Sequence, residues 1–275
     1  MRNISENVAI VTGASSGIGR ATALRLAESG VKVVAAARSA ERLEALVSEI
    51  HANGGEAVAQ PTDVTDPKQC RAAVVRAIQE FGRLDILINN AGISMRALAD
   101  EVEEKTLRRV MEVNFWGTVH CTQAALPHLR ESRGVLLAVS SVAGFHGLPG
   151  RSGYAASKFA IHGFMESVRI ENLDVKLQVT IVAPGFTASE IRSHALVANG
   201  EVQGDTPRDE SKLMSAERVA KLIVRSIRKG KRNRIISYEA QVIALMQRIL
   251  PLWIDRKIYN SMAKEPGSPL ANRHQ

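Results

Sequence analysis

The chain has 275 residues, enough for one α/β domain around a single core, and 45% of them are hydrophobic, which excludes a largely disordered protein. The formal charge is +8, yet aromatics make up only 4% and no nucleic-acid motif accompanies the basic residues, so no nucleic-acid partner is expected. The two cysteines, Cys70 and Cys121, lack a CxxC spacing and read as free thiols of a reducing compartment; the histidines show no ligand spacing, so no metal is expected.

The N-terminus runs almost directly into an apolar, β-branched strand, Val8–Thr12. That leaves no room for a signal peptide or a membrane span, and a cytoplasmic location is expected, with peripheral contact at the inner membrane face left open. Gly13, Gly17 and Gly19 follow at once, and residues 20–29 carry good helix formers. A strand feeding a glycine-rich turn into a helix N-terminus suits phosphate, because backbone N–H groups and the helix dipole both face the anion. Further strands are predicted at Lys32–Ala36, Glu56–Pro61, Leu84–Asn89, Val135–Ser140, Val179–Ala183 and Arg234–Ser237. Helices are predicted between them at Glu41–Asn53, Asp66–Phe81, Thr106–Arg130 and Ser152–Asn172, with Asp66 as N-cap and Pro67 at the first helical position. Strands alternating with helices imply a doubly wound parallel sheet, a Rossmann fold, over residues 1–237.

Within the last of these helices Tyr154 and Lys158 lie four apart, on one face. A lysine ammonium beside a phenol favours the phenolate and brings it into the range of a general acid/base. Residues 186–212 form a long polar stretch, of the kind that is usually functional or disordered. The basic run Lys221, Arg225, Arg228, Lys229, Lys231, Arg232 and Arg234 reads as a solvated helix end. Residues 238–264 are densely apolar but split by Pro251 into two short amphipathic pieces, neither long enough to span a bilayer. They read as a C-terminal helical extension that packs on its own domain, on a partner chain or in a membrane interface, where Arg248, Arg256, Lys257 and Lys264 would meet anionic lipid. A flexible tail is expected from 265 to 275.

Five motifs in this order resemble the classical short-chain dehydrogenase/reductase family. Thr12-Gly-x-x-x-Gly-x-Gly19 looks like its cofactor turn and Asn89-Asn-Ala-Gly92 like its central-strand motif. Asn114, Ser141, Tyr154 and Lys158 fall in the order of its catalytic tetrad, and Pro184-Gly185 looks like the turn that closes over the nicotinamide. The resemblance implies a nicotinamide cofactor held by Gly13, Ser15, Ser16, Gly17, Ile18, Gly19, Asp63, Val64, Asn90, Ala91, Gly92, Tyr154, Lys158, Pro184, Gly185 and Thr187. It also implies that residues 186–212 are the substrate lid. A homodimer or homotetramer is implied through the two long helices, with Phe159, Phe164 and Val168 shared with a partner.

An acid placed about 20 residues past the glycines would favour NAD, whereas an arginine there accommodates the 2′-phosphate of NADP. Here the second strand ends Ala35-Ala-Ala-Arg38, so NADP is expected over NAD. Tyr154 is the expected acid/base, Lys158 tunes it and binds ribose, and Ser141 holds the substrate oxygen, with Ser140 as the rival for that role. Asn114 is expected to organise a water chain behind Lys158. Phe145, His146, Leu148 and Phe186, with Met95 and Ile191, are expected to line a pocket for a bulky, lipid- or steroid-like carbonyl compound or alcohol. The competing expectation is an NADP-binding sensor or scaffold without catalysis.

Overall fold

The computed structural model describes residues 2–204, 206, 213–247 and 249–270. Seven strands, β1 (Val8–Thr12), β2 (Lys32–Ala37), β3 (Ala57–Pro61), β4 (Ile86–Asn89), β5 (Val135–Val139), β6 (Gln178–Ala183) and β7 (Asn233–Ile235), form one sheet in the order β3-β2-β1-β4-β5-β6-β7. Every pairing is parallel. The helices are α1 (Gly17–Ala27), α2 (Ala40–Ala52), α3 (Pro67–Phe81), α4 (Glu104–Met111), α5 (Gly117–Glu131), α6 (Ser152–Glu171), α7 (Ala216–Arg228), α8 (Tyr238–Met246) and α9 (Pro251–Ala263).

The strands β1, β2, β4, β5 and β6 are buried on both faces, whereas the edge strands β3 and β7 are partly exposed, and the buried side chains sort by the period of two. Ala9, Val11, Val33, Ile88 and Leu137 face one layer with Leu26, Leu46, Ile223 and Ile227 of α1, α2 and α7. Val8, Ile10, Val34, Leu87 and Leu136 face the other with Val74, Leu129, Ile161 and Met165 of α3, α5 and α6. Each fully buried aliphatic side chain stabilises the fold by about 1.5–3 kcal/mol. The strand order reverses between β1 and β4, which pair Val11 with Ile88. The crevice at their carboxyl ends is where open α/β sheets bind ligands.

Three expectations need correction. The predicted helix Thr106–Arg130 is interrupted by a π-helical turn, Glu112–Trp116, between α4 and α5. The last strand ends at Ile235, two residues short of Ser237, because the Ser237 side chain accepts from Ala240 N (3.1 Å) and caps α8. The tail is packed as far as Leu270, which is buried with Leu98, Ile254, Ile258 and Met262.

Pro251 sits in the first turn of α9 and divides the extension as the sequence predicts. One face of it packs on the domain through that apolar cluster. Leu245, Ile249, Leu250, Leu252 and Trp253 remain exposed around the α8–α9 corner, with the Lys257 ammonium 4.8 Å from the Trp253 ring centroid. Among the described residues no helix is long and apolar enough to cross a membrane. Of the expected lid, residues 205 and 207–212 lie outside the described residues, as do Arg248 and residues 271–275 of the tail.

Candidate active site

The glycine turn joins β1 to α1 and is locked to the end of β4. Thr12 Oγ1 accepts from the N–H groups of Asn90 and Ala91, both at 3.0 Å, and Asn90 Nδ2 donates to Thr12 O at 3.0 Å. Two glycines are required by close approach. A Cβ on Gly13 (φ +66°) would meet Ala91 Cα at 2.9 Å, and one on Gly19 would lie 2.1 Å from Gly13 O. Ser16 leads into α1 without a side-chain hydrogen bond to the first turn, whereas Ser39 and Asp66 cap α2 and α3 through Arg42 N and Lys68 N. The amides of residues 17–19 thus carry no side-chain acceptor, as a phosphate-receiving helix start requires. Arg38, just past β2, is exposed and forms no hydrogen bond or ion pair among the described residues. Asp63 Oδ1 accepts from Thr65 N (3.0 Å) and Thr65 Oγ1 (2.8 Å), which fixes the turn after β3. This cradle fits a dinucleotide: amides for a pyrophosphate, and a solvent-facing guanidinium at the end of β2.

Next to it lies a cavity of about 120 Å³ whose wall includes Ile18, Asn90, Gly92, Ser141, Leu148, Tyr154, Lys158, Pro184, Gly185, Phe186 and Thr187. Lys158 is 4% exposed, and its Nζ donates to Val139 O at 3.1 Å and lies 5.5 Å from the Tyr154 ring centroid. Burial pulls its pKa down from 10.5 to about 8. Burial pushes the Tyr154 phenol up, against the Ser141 hydroxyl and the Arg151 and Arg192 guanidinium groups, which act downward. The expected lowering of the Tyr154 pKa by Lys158 is not found: burial dominates and favours the protonated phenol. Desolvation, which disfavours both the ammonium and the phenolate, is the physical reason.

Asn114 is fully buried in the π-helical turn. Its Oδ1 accepts from Ile93 N (2.8 Å), and its Nδ2 donates to Ile93 O (3.0 Å) and to Ser157 Oγ (2.9 Å). Ser157 Oγ in turn donates to Tyr154 O at 2.7 Å. Asn114 thus ties the segment after Gly92 to α6, the helix that carries Tyr154 and Lys158. Ser157 is a link that the sequence does not flag, because a serine one turn beyond a tyrosine has no special spacing.

Ser141 and Ser140 part company. Ser141 Oγ accepts from Ala143 N at 3.2 Å and stands on the cavity wall. Ser140 also reaches that wall, but its hydroxyl lies 2.8 Å from His162 Nε2. His162 is pushed down to about 4, chiefly by burial. It was not singled out in the sequence, and only its one-turn spacing from Lys158 hints at it.

Leu148, Phe186 and Ile191 line the cavity; Phe145 and His146 are not among its lining residues. The Phe145 ring packs edge-on against His162 at 4.6 Å. His146 is engaged by the C-terminal extension: Nδ1 lies 3.2 Å from Gln247 Oε1 and Nε2 3.2 Å from Asp255 Oδ1. Met95 is fully buried beneath the site, among Ala97, Val110 and Leu196. The extension holds the Ser141–Tyr154 segment at further points. Arg151 lies 3.9 Å from Glu265, both nearly buried, and Pro269 packs against Gly150. Arg96 donates to Pro266 O at 2.7 Å.

A glycine-rich turn at the switch point, facing a buried lysine beside a partly buried tyrosine, defines a dinucleotide-dependent oxidoreductase of the doubly wound class. The short chain dehydrogenase family profile matches residues 7–199. The chain is 34% identical to the oxidoreductase SadH of Mycobacterium tuberculosis, over 96% of this chain and 98% of that one. It is 37% identical to 11-beta-hydroxysteroid dehydrogenase A of Sesamum indicum, over 84% and 68%. A short chain dehydrogenase/reductase from Burkholderia phymatum in complex with NAD shares the fold, with a TM-score of 0.80 at 24% identity over 94% and 97% of the two chains. An alcohol dehydrogenase from the archaeon Thermococcus sibiricus complexed with 5-hydroxy-NADP has a TM-score of 0.73 at 26% identity over 84% and 94%. The chain belongs to the short-chain dehydrogenase family, and a nicotinamide cofactor is supported.

Proposed function

We propose that this protein is an NADP(H)-dependent oxidoreductase that interconverts a bulky, apolar ketone or aldehyde and its alcohol. One observation carries the reading: Tyr154, Ser141 and Lys158 converge on one cavity beside the glycine turn. The nicotinamide supplies the hydride. The Tyr154 hydroxyl donates its proton to the carbonyl oxygen in reduction and takes it back in oxidation. Ser141 stabilises the charge that develops on that oxygen, and Lys158 favours the phenolate left behind. Asn114 and Ser157 hold α6 so that Tyr154 faces the substrate.

NADP is favoured over NAD because Arg38 offers a guanidinium without a partner among the described residues where a 2′-phosphate would lie, and no carboxylate stands in the run Ala35-Ala36-Ala37-Arg38. An apolar substrate is favoured by Leu148, Phe186 and Ile191 on the wall, and the hydroxysteroid dehydrogenase relative agrees with that class. The deciding experiment is turnover of a panel of steroid, lipid and small ketones with NADPH by the parent and by Tyr154→Phe. The variant is expected to lose about 10²–10⁴-fold in rate while binding NADP with unchanged affinity. Activity within twofold of the parent refutes the role of Tyr154.

A further inference from the structure

The only two cysteines of the chain meet. Cys70 on α3 and Cys121 on α5 are 51 positions apart, yet their sulfurs lie 3.4 Å from each other in the core layer beneath the sheet. Cys121 donates its S–H to Cys70 Sγ, and Cys70 donates its own to Val64 O at 3.4 Å. The thiols form a relay that ends on a backbone carbonyl in the turn after β3. The same carbonyl lies 3.2 Å from His120 Nδ1, and α5 presses on the Val64 side chain so closely that a Cβ on Gly117 would meet it at 2.6 Å. Val64 follows Asp63, and the family resemblance expects both of them to hold the dinucleotide.

The catalytic chemistry uses neither sulfur. The relay polarises the pair: the hydrogen bond from Cys121 pushes the Cys70 thiol down, and that bond together with burial pushes Cys121 well up. The thiolate is the reactive form, so Cys70 is the first nucleophile. The two are 1% and 5% exposed, so the co-reactant must be about the size of water and must enter through local opening.

We propose that Cys70 and Cys121 form a reversible dithiol–disulfide site, oxidised by hydrogen peroxide, whose closure takes the Cys70 hydrogen bond from Val64 O and weakens dinucleotide binding. Cys70 Sγ attacks one peroxide oxygen, the O–O bond breaks, and one water leaves with the proton of the thiol. Cys121 Sγ then attacks the sulfenic sulfur, the S–O bond breaks, and a second water leaves with the second proton. The pair loses two electrons and the peroxide gains them. The sulfurs close from 3.4 Å to about 2 Å, and neither S–H remains to donate, so Val64 O loses its Cys70 partner. Linkage requires the reverse as well: bound dinucleotide protects the dithiol. The second half of this proposal rests on the dinucleotide reading above, whereas the disulfide itself does not.

The test treats the full chain with hydrogen peroxide, alkylates it after unfolding, and maps the cysteine peptides by mass. The expected result is loss of both thiols together, a 70–121 cross-link within one chain, and full recovery with a dithiol reductant. Cys70→Ser keeps a donor for Val64 O and is expected to bind NADP like the reduced parent and to be indifferent to peroxide; Cys121→Ala, as a second variant, is expected to form no cross-link. Equilibrium dialysis of NADP is expected to show roughly three- to tenfold weaker binding by the disulfide form, the effect of losing one buried hydrogen bond. Thiols that outlast a free-thiol control, cross-links between chains, or over-oxidation of one cysteine overturn the site. Equal affinity of the two forms overturns its coupling to Val64. A reduced chain that binds no dinucleotide at all overturns the cofactor reading and the coupling with it, while a mapped cross-link would still stand.

Discussion

Lys158 sits where it costs stability, and replacing it is expected to make the protein firmer and inactive. The ammonium is 4% exposed and, among the described residues, donates one hydrogen bond, to Val139 O. A fall in pKa from 10.5 to about 8 means that the folded state disfavours the charged form, by roughly 3 kcal/mol below pH 8. Lys158→Met removes that cost and keeps the stem's apolar contacts, but strands Val139 O, which costs roughly 1 kcal/mol. The net expectation is a variant about 2 kcal/mol more stable than the parent near pH 7. The sign with pH follows from proton counts. Between the folded value of about 8 and the unfolded value of 10.5, the native state has released the proton and the unfolded state still holds it. The parent therefore gains stability as pH rises through that window, and loses it again as pH falls through 8. The advantage of the variant should shrink above pH 8 and be gone near pH 10. Urea unfolding of both proteins without cofactor, at several pH values, measures this difference directly. A variant less stable than the parent at neutral pH, or a difference flat in pH, refutes the argument that Lys158 is held charged against its surroundings.

Three other outcomes are expected. His162, with its pKa pushed down to about 4 from 6.5, should make the parent lose stability as pH falls through that window; the loss should be roughly 2–3 kcal/mol smaller in His162→Gln, read by urea unfolding. Arg38→Asp should move the ratio of kcat/KM for NADPH over NADH toward NADH by at least about tenfold, and a constant ratio would remove Arg38 as the determinant. Trp116 and Phe159, 45% and 47% exposed on the π-helical turn and α6, suit a face shared with a second copy. Sedimentation should show at least a dimer for the parent and a monomer for the double serine variant, and a parent that stays monomeric at micromolar concentration counts against the shared face.

The parts of the molecule carried by local pattern were legible in the sequence. The alternation of apolar runs and helical stretches set out the sheet, and the spacing of Gly13, Gly17 and Gly19 after Val8–Thr12 marked the tight turn between β1 and α1, because both depend on near neighbours in the chain. The π-helical turn at Glu112–Trp116 was not legible. It lets the Asn114 side chain reach Ile93 and Ser157, and those partners lie 21 and 43 positions away. His146 looked like a pocket residue for the same reason: nothing near it announces Gln247 or Asp255, more than a hundred positions on. Leu270 lies after a Pro-Gly-Ser-Pro run that reads as loose chain, and the cluster that buries it is made of distant residues, among them Leu98, Leu148 and α9.

The grip of residues 247–270 on the Ser141–Tyr154 segment also sets an order of events during synthesis. The ribosome delivers the sheet and the catalytic helix first, and they can collapse around their own core while the anchoring partners are still unmade. Contacts between His146 and Asp255, or Arg151 and Glu265, span 109 and 114 positions. Such contacts close late, because the loop entropy must be met before they form. A nascent chain ending at Ser237 would hold the sheet and α6 but none of these clamps on the 141–154 segment.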